Sequence, residues 1–144
     1  MKLLQVKRIL ALLVIGMLTF LSTAFAEIPT IAVEELKPGM RGYGKTVIEG
    51  ADIRTFDVEV LGVTGTETGG YNILIKASGP LLEESGGIAQ GMSGSPVYID
   101  GRLAGAVAYG QAFSDPNYCF LTPINEMLRL FDETDPRPFV FLPK

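Results

Sequence analysis

Residues 86–110 read GGIAQGMSGSPVYIDGRLAGAVAYG, and this stretch decides the fold. Its centre is Asp100-Gly101, which lies between two β-prone runs, Pro96–Ile99 and Leu103–Tyr109. Because a type I′ turn requires positive φ at both central residues, Asp-Gly in this position predicts a tight β-hairpin. The second run is rich in alanine and glycine, so we expect a neighbouring backbone or a ligand to approach it closely.

The loop before this hairpin presents a serine between glycines. Ser93 is bracketed by Gly91 and Gly94, and Pro96 ends the loop. A nucleophilic serine needs an exposed hydroxyl on a tight turn, with backbone N–H groups aimed at the developing oxyanion. Glycine at 91 can turn its N–H beside that of Ser93, and glycine at 94 lacks a Cβ that would block a substrate. The pattern predicts Ser93 as nucleophile, with the N–H groups of Gly91 and Ser93 as oxyanion hole. The alternative is a Gly-Ser turn that joins two strands.

The rest of the chain predicts short strands. Thr55–Val63 alternates between apolar and charged residues, which is typical of a half-buried strand, and Tyr71–Ala77 follows as its hairpin partner across the polar turn 65–70. Pro80–Ser85 predicts one helical turn that Gly86 and Gly87 end, and Tyr118–Leu121 predicts a further strand. The expected fold class is mainly β, a small barrel or sandwich with a C-terminal helix.

That C-terminal helix is predicted to begin with Thr122 as N-cap and Pro123 at the first helical position. Apolar residues then recur at helical spacing, and we expect this stripe to pack on the core rather than to form a groove for a partner. The stripe consists of Ile124, Met127, Leu128 and Phe131. The prolines of 135–138 are expected to end the helix and begin an extended tail.

Composition limits the chemistry. The 144 residues contain no histidine and one cysteine, and the formal net charge is −4. The absence of histidine excludes histidine metal ligands and any self-contained Ser-His-Asp or Cys-His machinery within this sequence. No metal or cofactor site is visible, and the negative charge argues against nucleic-acid binding. Cys119 is expected to be a small buried residue.

The N-terminus has the pattern of an export signal. Lys2, Lys7 and Arg8 precede an apolar run, and small residues follow up to Ala26. The run is short for a bilayer span, so cleavage after Ala26 is favoured over an uncleaved membrane anchor. The expected organisation is a signal peptide over 1–26, one domain over 27–132 and a tail over 133–144. The mature chain would be exported to the periplasm or the medium, and would meet the membrane only transiently.

The loop and hairpin together resemble those of chymotrypsin-like serine peptidases, where the last residues of the second hairpin strand pair with the substrate backbone. This resemblance implies that Ala108, Tyr109 and Gly110 bind a peptide or protein substrate. Residues 30–132 resemble more closely the SpoIVB-type serine peptidases, through FDVEV at 56–60, GPLLEESGGI at 79–88, GMSGSP at 91–96 and PINEML at 123–128. The resemblance implies a trypsin-like β-barrel and serine peptidase activity, with Ser93 matching the nucleophile. Sporulation members of the family cleave a regulatory protein between two membranes.

Three departures from the family pattern stand out. The general-base histidine is absent, and Ser78 stands where the family has its acidic residue. The sporulation members carry a PDZ domain ahead of the peptidase, and we expect no room for one in this sequence. The segment Arg41-Gly42-Tyr43-Gly44 resembles a PDZ carboxylate-binding loop, although a glycine-rich strand turn is the favoured interpretation.

Three hypotheses follow from these departures. In the first hypothesis, the chain is the nucleophile part of a peptidase whose histidine comes from a second chain or from sequence lost by truncation. In the second, the chain is a non-catalytic pseudopeptidase that binds an extended peptide. In the third and weaker hypothesis, Lys45 or Lys76 replaces the base, although both are more simply interpreted as surface lysines. Glu83 and Glu84 are interpreted as exposed charges on a helical turn.

Overall fold

The computed structural model describes residues 28–66, 69–110 and 115–131. Within them, six antiparallel strands form a closed barrel in the order β1-β2-β3-β6-β5-β4, and β4 pairs with β1 to close it. The strands are β1 (Arg41–Val47), β2 (Ile53–Thr66), β3 (Gly70–Ser78), β4 (Pro96–Ile99), β5 (Arg102–Gly110) and β6 (Tyr118–Pro123). The expected mainly β class and barrel architecture are confirmed.

The barrel interior follows the two-residue alternation of the strands. On β2, Phe56, Val58 and Val60 are buried while Asp57 is exposed, as the alternation predicts. The same rule places Lys76 of β3 on the outer face. Residues of the other strands complete the core: Ile73, Ile75, Ala77, Val97, Ile99, Ala104, Val107, Cys119 and Leu121.

The hairpin of β4 and β5 turns at Asp100 and Gly101, whose φ angles are 49° and 74°. Both are positive, as the type I′ prediction requires. Further along β5, a Cβ on Gly105 would collide with the carbonyl oxygen of Thr122 on β6. The expected close approach to this glycine-rich strand is therefore confirmed, and the neighbour is backbone.

Helix α1 (Pro80–Ser85) has the predicted bounds. Its N-terminal residue is proline, and Gly86 ends it in the left-handed conformation at φ 74°, with its N–H bonded back to the Leu82 carbonyl. The helix therefore delivers the chain into the loop that contains Ser93.

The structure differs from two expectations for the C-terminal helix, α2 (Ile124–Leu128). The first difference concerns its N-terminus. Thr122 is not the N-cap: it belongs to β6 and pairs with Ala106, and Pro123 takes the cap position without a side-chain hydrogen bond. The reason is that β6 stays paired with β5 through Pro123, so the ladder holds Thr122 extended.

The apolar stripe of this helix does not pack as a core stripe. No residue of α2 is buried, and Leu128 and Phe131 are 52% and 85% exposed, whereas Ile124 and Met127 are half-buried. The helix has five residues and continues as a 3₁₀ turn over Arg129–Phe131. Because a 3₁₀ turn has three residues per turn, the 3.6-residue stripe loses its single face there.

The expected signal peptide over 1–26 and tail over 133–144 lie outside the described residues. Among the helices that are described, none has the length and apolar character needed to cross a membrane.

Candidate active site

The loop of Ser93 is anchored on both sides of the serine. The side chain of Met92 is buried at 1% exposure and that of Ser95 at 8%, whereas Ser93 and Gly94 are exposed. The Ser95 N–H donates to the Met92 carbonyl at 3.1 Å, which closes a tight turn over the two exposed residues. The serine is therefore presented to solvent by a turn whose ends are fixed in the core.

Backbone hydrogen bonds join this turn to β5. The Gly94 N–H donates to the Val107 carbonyl at 2.7 Å, and the Val107 N–H donates to the Ser95 carbonyl at 2.9 Å. Since β4 begins only at Pro96, these two bonds continue the β4–β5 ladder into the serine loop. The position of Ser93 is consequently tied to the strand that the family resemblance assigns to substrate binding.

A buried hydroxyl pair provides a third anchor. Ser95 Oγ donates to Thr46 Oγ1 of β1 at 2.8 Å, and both residues are buried. A buried hydroxyl needs such a partner, because desolvation without one is unfavourable. This contact links the serine loop to a strand almost 50 residues earlier in the chain.

The backbone at Gly91 has a conformation that favours glycine. Its φ is 95°, a region that residues with a Cβ rarely adopt. Within the described residues, the N–H groups of Gly91 and Ser93 donate to no acceptor. Two unused donors therefore lie two residues apart on an exposed glycine turn.

The serine hydroxyl faces a bulge in β5. Val107 pairs with Leu121 and Tyr109 with Phe120, which leaves Ala108 as the extra residue of a β-bulge. Its carbonyl accepts a hydrogen bond from Ser93 Oγ at 3.1 Å. Bulges redirect backbone groups and are common beside active sites, and this one turns the Ala108 carbonyl towards the serine.

The other residues expected to bind substrate lie beside this bulge. Tyr109 is 52% exposed and stacks on Phe120 with 5.1 Å between ring centroids, and Gly110 ends β5. Beyond Ala106, β5 has no pairing with β4, because β4 begins at Pro96. Tyr109 and Gly110 are thus paired with β6 on one side, and within the described residues they lack a strand neighbour on the other.

A cavity of about 290 Å³ opens beside Ser93. Asp115 is the one charged residue among the described residues that line it, and its Oδ1 accepts the Asn117 N–H at 2.9 Å. Asp115 is not among the site residues that the sequence patterns predict. The signal available was Asp-Pro at 115–116, which marks a turn rather than a site.

Neither candidate lysine lines that cavity. The ammonium of Lys45 lies 5.6 Å from the ring centroid of Tyr98, and that of Lys76 lies 6.0 Å from that of Tyr118. Both lysines are exposed, in agreement with the interpretation as surface residues. At these distances each ammonium makes a cation–π contact with an aromatic face.

The position expected to carry the family's acidic residue is also placed. Ser78 is exposed at the end of β3, opposite Asp57 of β2, and it lines a second cavity of about 330 Å³. Glu83 and Glu84 are exposed on α1, as predicted. Arg54 bonds Glu84 at 2.7 Å and lowers the pKa of that carboxyl.

Cys119 is buried in the barrel at 1% exposure, as expected, and desolvation raises the pKa of its thiol to about 11. A thiol in this state stays protonated at neutral pH and is a poor nucleophile. Ser93 is therefore a better candidate for nucleophilic chemistry than the cysteine.

Comparison with known proteins agrees with this geometry. A closed antiparallel barrel with an exposed serine turn is the architecture of a serine peptidase-like domain. The family model described as SpoIVB peptidase S55 matches residues 14–128, so the chain belongs to the SpoIVB peptidase S55 family. The match includes all six strands and the serine loop. No curated protein matches the chain.

Proposed function

We propose that this chain is a serine peptidase domain in which Ser93 is the nucleophile. The observation that carries the proposal is the exposed Ser93 turn, which is held between buried Met92 and Ser95. The N–H groups of Gly91 and Ser93 donate to no acceptor within the described part of the chain. In acyl transfer, two such donors would stabilise the negative oxygen that develops when Ser93 Oγ attacks a peptide carbonyl. Membership in the family supports the same reaction.

The substrate is proposed to be an extended peptide that lies along residues 108–110. Within the described residues, Tyr109 and Gly110 have no strand neighbour on the side away from β6, so a peptide can add there as a further strand. Such a peptide would compete with Ser93 Oγ for the Ala108 carbonyl. Its binding would therefore release the hydroxyl from its hydrogen bond.

The general base is proposed to come from outside the 144 residues, from a histidine-bearing second chain or fragment. The sequence contains no histidine, and neither Lys45 nor Lys76 lines the cavity of Ser93. Without a base the serine retains an oxyanion hole and substrate contacts. Removal of a catalytic base typically lowers turnover by several powers of ten.

One observation favours a second candidate, a pseudopeptidase that binds peptides without cleaving them. The acceptor of the Ser93 hydroxyl is a backbone carbonyl, which cannot take up the proton during attack. In this alternative, the bond between Ser93 and Ala108 is simply the resting contact of a binding groove.

A fluorophosphonate probe separates the two candidates. The peptidase proposal predicts slow labelling of the 144-residue protein, faster labelling when a histidine-bearing partner is added, and none in Ser93→Ala. Ser95→Ala is a poor control because it disturbs the buried hydroxyl pair, so Thr55→Ala at an exposed position of β2 serves instead and should label as wild type. Absence of labelling in every condition would favour the pseudopeptidase.

We further propose that the domain works outside the cytoplasm after cleavage at about Ala26. The basic, apolar and small-residue segments of 1–26 support this placement. Expression of the full sequence should give a protein in the periplasm or medium that begins at Glu27 by mass spectrometry. Ala24→Arg with Ala26→Arg should block processing, and an unprocessed but exported chain would refute the proposed cleavage.

A further inference from the structure

The cavity beside Ser93 is small. Its volume of about 290 Å³ falls at the low end of the range for ligand pockets, which starts near 300 Å³. It includes Ser93 and Ala108, the two residues that meet in the hydrogen bond described above. A cavity of this size at this place can accept one side chain of a peptide that lies along residues 108–110.

Its walls combine apolar and polar residues, and the apolar part is well defined. Val107 is buried at the base of the site, and Ile88 and Ala89 are half-buried and pack on the barrel core. Pro116 and Tyr118 also line this cavity. Such a lining favours an aliphatic side chain, because each apolar contact removes water from two apolar surfaces.

Apart from Asp115, the charged residues described near this region line the neighbouring cavity. Lys76 and Glu83 line the second cavity, together with Gly87 and Asn117. Gly87 and Ile88 are adjacent in the chain, as are Pro116 and Asn117, so each pair contributes one residue to each cavity.

A backbone wall separates the two cavities. The Ile88 N–H donates to the Pro116 carbonyl at 2.8 Å, and a Cβ on Gly87 would come within 2.5 Å of the Pro116 Cβ. The boundary between the two cavities is therefore tightly packed here, and Lys76 and Glu83 are not among the described residues that line the cavity of Ser93.

Asp115 does not make the cavity favourable for a charged side chain. It is exposed, and one of its oxygens accepts the Asn117 N–H. A lysine side chain that entered the cavity would lose its hydration against Ile88, Ala89 and Val107, and an ion pair with the exposed Asp115 would offset little of that loss. An aspartate would lose its hydration without a cation to pair with. Desolvation of an unpaired charge is strongly unfavourable.

We infer that this cavity selects an aliphatic side chain, such as leucine, at the substrate residue whose carbonyl meets Ser93. The inference rests on the proposed function for the position of that residue. It adds the substrate class: peptides with an aliphatic residue, and not a charged one, before the bond presented to the serine.

The test measures binding and does not depend on catalysis. Acetylated tetrapeptides Ala-Ala-Ala-X with a free carboxylate, where X is Leu, Phe, Lys or Asp, are titrated into ¹⁵N,¹³C-labelled protein. The Leu peptide should bind at least tenfold more tightly than the Lys and Asp peptides, the low end of what burial of a full aliphatic side chain gives. It should also shift the methyl resonances of Ile88. Equal or tighter binding of the Lys or Asp peptide would overturn the inference, as would binding of no peptide.

A variant pair tests the wall directly. Ile88→Asp should reverse the preference so that the Lys peptide binds more tightly than the Leu peptide. Ile48→Asp, the same change at an exposed site away from the cavity, should leave the preference unchanged. If Ile88→Asp lowers the melting temperature too far for titration, Ile88→Ala should weaken binding of the Leu peptide severalfold without improving that of the Lys peptide. An unchanged Leu preference in whichever Ile88 variant is measured would also overturn the inference.

The two proposals fail in different ways. Fluorophosphonate labelling of Ser93 together with a preference for the Lys peptide would refute only the aliphatic selectivity. A preference for the Leu peptide with no labelling under any condition would retain the selectivity and refute the nucleophile.

Discussion

The buried hydroxyl pair of Thr46 and Ser95 allows a quantitative test of how the serine loop is held. Thr46→Val keeps the β-branched shape of the side chain and removes only the oxygen that accepts the Ser95 proton. Ser95 is 8% exposed, so its hydroxyl would remain buried without this partner. Leaving a buried polar group unsatisfied costs about 1–3 kcal/mol.

For a domain of roughly 100 residues, each kcal/mol corresponds to about 4–8 °C in melting temperature. We therefore expect Thr46→Val to lower the melting temperature by roughly 4–24 °C. The double variant with Ser95→Ala removes both hydroxyls and leaves no orphan. Its loss of stability should be smaller than the sum of the two single losses, by about 0.5–3 kcal/mol.

The assay is urea unfolding followed by far-UV circular dichroism, with all variants in one buffer. Thr55→Val, the same substitution at an exposed position of β2, is the matched control and should change the unfolding free energy little. If Thr46→Val behaves like Thr55→Val, or if the two single effects add within error, the pair does not stabilise the loop and the reasoning is refuted.

Three other predictions concern the barrel and the loop. Gly105→Ala should lower the unfolding free energy by about 1–3 kcal/mol or more, because its Cβ would meet the Thr122 carbonyl. Gly62→Ala, with open space around its Cβ, is the control and should be nearly neutral in the same urea titration. Equal losses in the two variants would contradict the close approach of β6 to Gly105. Gly91→Val should cost about 1–3 kcal/mol more than Ser93→Ala, because valine is strained at a φ of 95°; equal melting temperatures of the two variants would refute the special conformation of Gly91. The Cys119 thiol should not react with a disulfide reagent at pH 8 until the protein unfolds. Because its folded pKa of about 11 exceeds the ordinary thiol value of 9.0, its contribution to stability is present below pH 9 and falls as the pH rises through 11, by on the order of 2–3 kcal/mol. The difference in unfolding free energy between wild type and Cys119→Ala should therefore shrink over that range, and a constant difference would count against the burial of the thiol.

Sequence patterns predicted those parts of the fold whose conformation is determined locally. Asp100-Gly101 requires one turn type, and proline at 80 with glycine at 86 bounds a single helical turn, so both elements appear with the predicted limits. The two-residue alternation of β2 was equally decisive for which residues enter the core.

Elements that depend on distant neighbours were harder to predict. Strand β1 contains Gly42 and Gly44, which obscure any alternation, yet both glycines are required because a Cβ would meet the Tyr98 carbonyl or the Phe56 ring. Thr122 has the features of an N-cap, but its pairing with β5 overrides that local preference.

The candidate site also contains some features that are determined locally and others that depend on distant neighbours. The serine and its glycines were identifiable from residue type and spacing. The contacts of Thr46 and Asp115 with this region arise only when β1 and the turn at 115–118 come together in the barrel.

The seam between β1 and β4 has a consequence for the dynamics of the barrel. This ladder contains three residue pairs, Gly42 to Gly44 with Ile99 to Val97, whereas the β1–β2 ladder contains seven. Short ladders open most readily, so amide hydrogens of the seam should exchange before those of β2 and β3. Each opening would convert the barrel into a sheet with two unpaired edges, which are templates for pairing with another chain. The contact between Thr46 and Ser95 lies beside this seam, so the same fluctuation would loosen the serine turn and expose the chain to self-association.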